Sequence, residues 1–201
     1  MDQTLNNFID KLEEKQLTPE INLGRPQYVQ PEDRISYRSA RIIIILGTLN
    51  KKHGLSKEVI ACIDFLLRNP GYQKKFIVEY FKSEINSLQK RLEKYNPSNV
   101  IEIDFNIVQY KSVPWDLRFN DMFLYLHVRK FIQFLGEKPS LRVKLSLDGE
   151  NMCKELEKIF IDEINFLELF GKQFIEERAK TIITEVIPNS YWRDNEKLDY
   201  Q

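Results

Sequence analysis

Ile101, Ile103, Phe105 and Ile107 alternate with Glu102, Asp104 and Asn106, and that period of two puts apolar side chains on one face of a strand. The alternation returns once more, where Leu141, Val143, Leu145 and Leu147 are separated by Arg142, Lys144 and Ser146. Elsewhere the apolar residues recur on the helical period. Short alternating runs in a helical background predict a fold that is mainly α with a small β component.

Leu5, Phe8, Ile9 and Leu12 share one helical face, so residues 1–16 read as a short amphipathic helix. Pro19, Gly24, Pro26 and Pro31 then make a connecting loop of the residues up to 33. The run Ile42-Ile43-Ile44-Ile45-Leu46 suits a buried strand by propensity, but the pattern around it, from Tyr37 to Lys52, has helical length. Gly54 stops that helix and Ser56 is placed to cap the next. Val59, Ile60, Ile63, Leu66 and Leu67 give the second helix its apolar stripe, which ends at Asn69-Pro70-Gly71. The pair makes a helix-turn-helix. A third stripe, Ile77, Phe81, Ile85, Leu88 and Leu92, closes at Asn96-Pro97.

In the second half, Pro114-Trp115-Asp116 is expected to break the chain before a helix from Phe119 to about Phe134. Gly136 to Ser140 forms a turn, the second strand follows, and Asp148-Gly149 ends it. A long helical pattern then runs from Met152 through Leu156, Leu167 and Ile182 to Val186, with Gly171 the expected break. Helix, turn, strand, Asp-Gly and helix together have the layout of a winged helix. The expected architecture is an N-terminal helix-turn-helix cluster plus a winged-helix unit and long C-terminal helices. Its segments are 1–33 (helix and loop), 34–98 (helical), 99–160 (winged helix) and 161–201 (C-terminal helix and tail).

Thirty Lys and Arg against thirty Asp and Glu leave a net charge of +0, so bulk charge gives no pointer to nucleic acid or membrane, and any such contact must be a local patch. No apolar stretch is long enough to cross a bilayer. Met1-Asp2-Gln3 carries no export signal, and Cys62 and Cys153 are far apart inside apolar segments. A cytoplasmic protein with free thiols is expected. Two histidines offer little for a metal, and neither GxGxxG nor GxxxxGK[ST] occurs, so no metal and no cofactor is expected. No nucleophile elbow is present, and the chain is expected to be no enzyme. Glu13-Glu14 and Glu176-Glu177 read as solvated helix faces.

Three features are candidates for contact. Lys138, Arg142 and Lys144 lie on or near the wing, where they either meet nucleic-acid phosphates or serve as the solvated face of an edge strand. Phe160, Phe166, Leu167, Phe170 and Phe174 surround more than one helical face near Gly171; a partner helix or subunit is expected to cover them, the alternative being burial within the chain's own fold. Trp115 is expected to anchor its loop to the core.

Three stretches carry a resemblance. DRISYRSARIIIILGTLNKKHGLSKEVIACIDFLLRNP (33–70) holds Asp64-Phe65-Leu66-Leu67, QYKSVPWDLRFNDMFLYL (109–126) holds Pro114-Trp115-Asp116, and LRVKLSLDGENMCKEL (141–156) holds Ser146 three residues before Gly149. They resemble the opening helix-turn-helix, the Gly-Pro-Trp-Asp segment and the Leu-Thr-x-x-Gly turn of the middle components of bacterial ABC-three-component systems. Val113 stands where Gly is usual, and Ser146 where Thr is. Those proteins are winged-helix accessory subunits of an SMC- or Rad50-like ATPase, as in Lamassu-type antiphage defence. The resemblance implies a non-enzymatic subunit that bridges the ATPase to an effector and leaves room for DNA contact within the assembly. The competing reading is a stand-alone winged-helix DNA-binding transcriptional regulator.

Overall fold

The computed structural model describes residues 34–49, 52–82, 95, 107–137, 141–171 and 174–192. All belong to one compact unit, Pro31–Gln201. The expected helix over 1–16, the alternating residues 101–106, the third stripe beyond Lys82 and Lys138 lie outside the described residues. The chain is mainly helical with a small sheet component.

Helix α1 (Ile35–Leu49) runs through the centre, and Ile42 to Leu46 are all buried. A helix apolar on every side has to be enclosed by its neighbours, and α1 packs against five later elements. Strand β1 (Leu55–Ser56) leads into α2 (Lys57–Arg68), where the Ser56 hydroxyl accepts the Val59 N–H at 3.4 Å. The expected cap is therefore the observed one. A 3-10 turn over Pro70–Tyr72 precedes α3 (Gln73–Tyr80).

The Pro-Trp-Asp segment differs from expectation. Strand β2 (Ile107–Tyr110) pairs antiparallel with β3 (Val113–Asp116) across the two-residue turn Lys111-Ser112, whose φ angles are +48° and +65°. Tyr110 and Val113 close the turn, so Gln109 and Pro114 form the next pair, where antiparallel ladders make no hydrogen bond. Proline sits there without losing a partner.

Helix α4 (Phe119–Val128) is shorter than its pattern. Lys130 adopts φ +61°, its N–H reaches His127 O at 2.9 Å, and the Phe131 N–H reaches Leu126 O at 2.9 Å. These two bonds are a Schellman stop with lysine in the usual glycine position. Ile132 to Leu135 then form β4 rather than helix, and β5 (Arg142–Leu145) pairs with it antiparallel. The sheet order is β1-β5-β4.

Asp148-Gly149 is not a turn but the first turn of α5 (Leu147–Leu156), capped by Ser146, whose hydroxyl accepts the Gly149 N–H at 3.1 Å. A Cβ on Gly149 would stand 2.0 Å from the Phe131 carbonyl oxygen, so only glycine lets α5 lie this close to the start of β4. The long C-terminal pattern breaks twice. Helix α6 (Ile161–Glu168) follows a turn at residues 157–160, and α7 (Glu176–Val186) follows Gly171, at φ +50°. The earlier break lets Phe160 turn inward onto Tyr37, with ring centroids 5.2 Å apart. One hydrophobic cluster spans Ile42 to Ile187, so the segments divided at 98/99 and 160/161 share a core.

Candidate protein-contact face

The sequence reading missed a cluster of charges at the centre of the molecule. Arg38 and Arg41 lie on α1, Asp64 and Arg68 on α2, and Asp116 at the end of β3; Arg38 is 1 % exposed and Asp64 2 %. The Arg38 guanidinium donates to Asp64 at 3.0 Å and to Asp116, Arg41 donates to Asp64 at 3.4 Å, and Arg68 donates to Asp116 at 3.2 Å. Burial pushes the Asp64 carboxyl up, but Arg38, Arg41 and Arg68 outweigh it and hold the group below the usual carboxylate range. Burial alone would lower the Arg38 pKa; Asp64 and Asp116 reverse that and raise it. A signal existed in the sequence: two arginines three apart in the helix that carries the Ile42–Leu46 run, and a lone aspartate inside the stripe of the next. Asp64 and Asp116 belong to two different stretches of the resemblance, and one arginine ties them together.

The cluster fixes where α4 begins. Asp116 accepts the Arg118 backbone N–H at 2.7 Å, an Asx-type turn into the helix. Phe119 then packs between Trp115, at 5.3 Å, and the Arg38 guanidinium, at 5.8 Å. Trp115 thus packs against the core as expected, but it anchors strand β3 rather than a loop. Phe119, Met122, Phe123 and Leu126 bury one face of α4, and the Lys57 ammonium lies 4.9 Å from the Phe123 ring.

The opposite face points to solvent and is unusual. Leu124 is 61 % and Val128 70 % exposed, with Leu117 just before the helix at 48 %. Asn120, Asp121 and His127 flank them. Arg129 stacks on Tyr125 at 4.6 Å on one flank of that face, at the end of the helix. Large aliphatic side chains at the centre of a helix face, with polar groups at its border, suit a protein surface better than a phosphate backbone.

The sequence-derived candidates fall elsewhere. Arg142 donates to Gly54 O at 2.8 Å and His53 O at 3.1 Å and pairs with Glu176, binding β5 to the α1–α2 connection and to α7. Those donors are engaged inside the chain. Glu176 also accepts the Ser56 N–H at 3.1 Å, so it is a structural link rather than solvation. Lys144 is half-buried opposite Gln133 on the same face of β5 as Arg142. Lys138 lies outside the described residues.

Phe160, Phe166, Leu167 and Phe170 are buried by the chain itself, and Phe174 packs against the core. Phe170 meets Tyr80 at 5.0 Å, Phe81 at 5.6 Å and Phe76 at 5.8 Å. This corrects the expectation of a partner there: the first break turns Phe160 onto Tyr37 of α1, and Phe166, Leu167 and Phe170 pack into the chain's own core.

Among the described residues no group of three or more His, Cys, Asp or Glu could hold a metal ion. A groove of about 140 Å³, lined by Gly47, Leu145, Glu150, Cys153, Lys154 and Glu157, places the Cys153 thiol 3.7 Å from the Glu157 carboxylate. No described helix is long and apolar enough to cross a membrane. No family model, no curated protein and no solved structure matches the chain.

Proposed function

We propose that the chain is a non-enzymatic accessory subunit, built on a winged helix, that binds an SMC- or Rad50-like ABC ATPase and links it to an effector in an antiphage or anti-plasmid defence complex in the cytoplasm. Support for the winged element is the order α1, β1, α2, α4, β4, β5 with a β1-β5-β4 sheet. Residues 69–118, with α3 and the β2–β3 hairpin, are then an insertion ahead of α4. Helix α4 takes the place of a recognition helix, and β4 with β5 forms the wing. The resemblance supplies the ATPase and the effector.

The observation that carries the choice of a protein partner over a DNA site is the solvent face of α4. A helix that reads a major groove needs Arg, Lys, Asn or Gln aimed at base edges. Here Leu124, Val128 and Asp121 occupy those places, and the wing's Arg142 is engaged within the chain. The test is co-expression with the neighbouring gene products, any SMC- or Rad50-like ATPase among them, followed by size-exclusion chromatography. Co-elution that survives about 0.15 M salt, where exposed charge contacts are screened beyond about 8 Å, is the expected result. A chain that elutes free of every neighbouring gene product overturns the reading.

A further inference from the structure

We infer that the exposed face of α4 pairs antiparallel with the same face of a second copy of this chain. The inference deepens the reading of α4 as a protein-contact face and rests on it. Its basis is the arrangement of charge along the helix. Asp121 lies in the first turn, while Arg129, held over the Tyr125 ring, lies at the end. Both are on the flank that Tyr125 occupies, since residues four apart on a helix are neighbours. A parallel copy would bring Asp121 close to Asp121 and carry the two Arg129 side chains to opposite flanks, out of reach of it. An antiparallel copy sets each against its opposite.

The geometry closes on itself. With a two-fold axis level with Tyr125, Asp121 of one copy and Arg129 of the other both lie four residues, about 6 Å, from the axis. Leu124 lies about 1.5 Å and Val128 about 4.5 Å along the helix from that axis, on opposite sides of it. The seam therefore reads Val128 of the second copy, Leu124 of the first, Leu124 of the second, Val128 of the first, interleaved at steps of about 3 Å. Asp121 borders the seam at each end, where the opposite charge of the second copy's Arg129 meets it, and an isologous two-fold contact is the commonest form of assembly. A contact centred on a ten-residue helix belongs to the small class of interfaces, so association on the order of 10 µM is expected.

Sedimentation equilibrium of the full chain from about 1 to about 300 µM tests this against that expected affinity. L124D should weaken dimerisation at least about 10-fold, since it places a charge in the seam. D121R and R129D should each weaken it about 3- to 10-fold, and the D121R/R129D double variant should return to within about 3-fold of the parent, because its reversed charges again face opposites. Thermal melts check that each variant folds, which the exposure of Leu124 favours. A monomer at every concentration, a dimer indifferent to L124D, or a double variant no better than its singles overturns the inference. A chain that stays monomeric yet co-elutes with the ATPase removes the dimer and leaves the accessory-subunit reading standing. One that dimerises but ignores the ATPase does the reverse.

Discussion

Arg38 reaches Asp64 and Asp116 with one guanidinium, and this side chain joins two helices and a strand that are far apart in sequence. Buried ion pairs add little net stability over a well-packed apolar core, but removing one member leaves a charge without compensation in a poorly polarisable interior. Asp64→Asn should therefore cost about 3–5 kcal/mol, read from urea or guanidinium unfolding. The pH dependence has a definite sign. Because the Asp64 pKa is lower folded than unfolded, its contribution is complete above about pH 5 and is lost as pH falls through the folded pKa. D64N should accordingly show a flatter loss of stability below about pH 5 than the parent. An equally steep acid limb in both proteins would show that other carboxylates carry it. In the sequence these residues were legible only as oddities. Arginine in an apolar helix and aspartate in an apolar stripe violate the pattern, and the pattern says nothing about which violations meet.

At the scale of elements, the stops were harder to read than the helices. Ser56 and Ser146 act as caps through their hydroxyls, a local chemistry that a few adjacent residues encode. The end of α4 is different, because its left-handed residue is Lys130, and lysine carries no signal for that conformation. The apolar spacing continues through Phe131 and Phe134, so it extends the helix past its real end. Lys130→Gly should relieve the cost of a side chain in the left-handed region and raise stability by about 0.5–1 kcal/mol, while Lys130→Ala should not. Chemical denaturation of the pair checks it, and a K130G protein less stable than the parent would refute it. The turn at residues 157–160 was hidden for a related reason. A helix and a broken helix with the same stripe bury the same residues, and the pairing of Phe160 with Tyr37 distinguishes them only once α1 is in place.

For the whole molecule, a balance of thirty basic and thirty acidic residues leaves local arrangement to decide what the surface meets. Duplex DNA should bind only in the non-specific range, on the order of 10⁻⁴ to 10⁻⁶ M, with no preference among sequences. Fluorescence anisotropy across a salt series measures it, and tight binding to one sequence with a steep salt slope would restore the regulator reading. Local spacing in the sequence determined that the chain is mainly helical, that Ser56 caps α2, that a strand follows Gly136 to Ser140, and that Gly171 interrupts the C-terminal helices. Each of these depends on neighbours within a few residues. The tertiary structure alone decided that Phe166, Leu167 and Phe170 turn inward, that Arg142 and Glu176 are internal links, and that Leu124 and Val128 are left in solvent. An apolar spacing shows that a face needs covering; which faces the chain covers for itself depends on contacts between residues distant in sequence, and those exist only after the chain has folded.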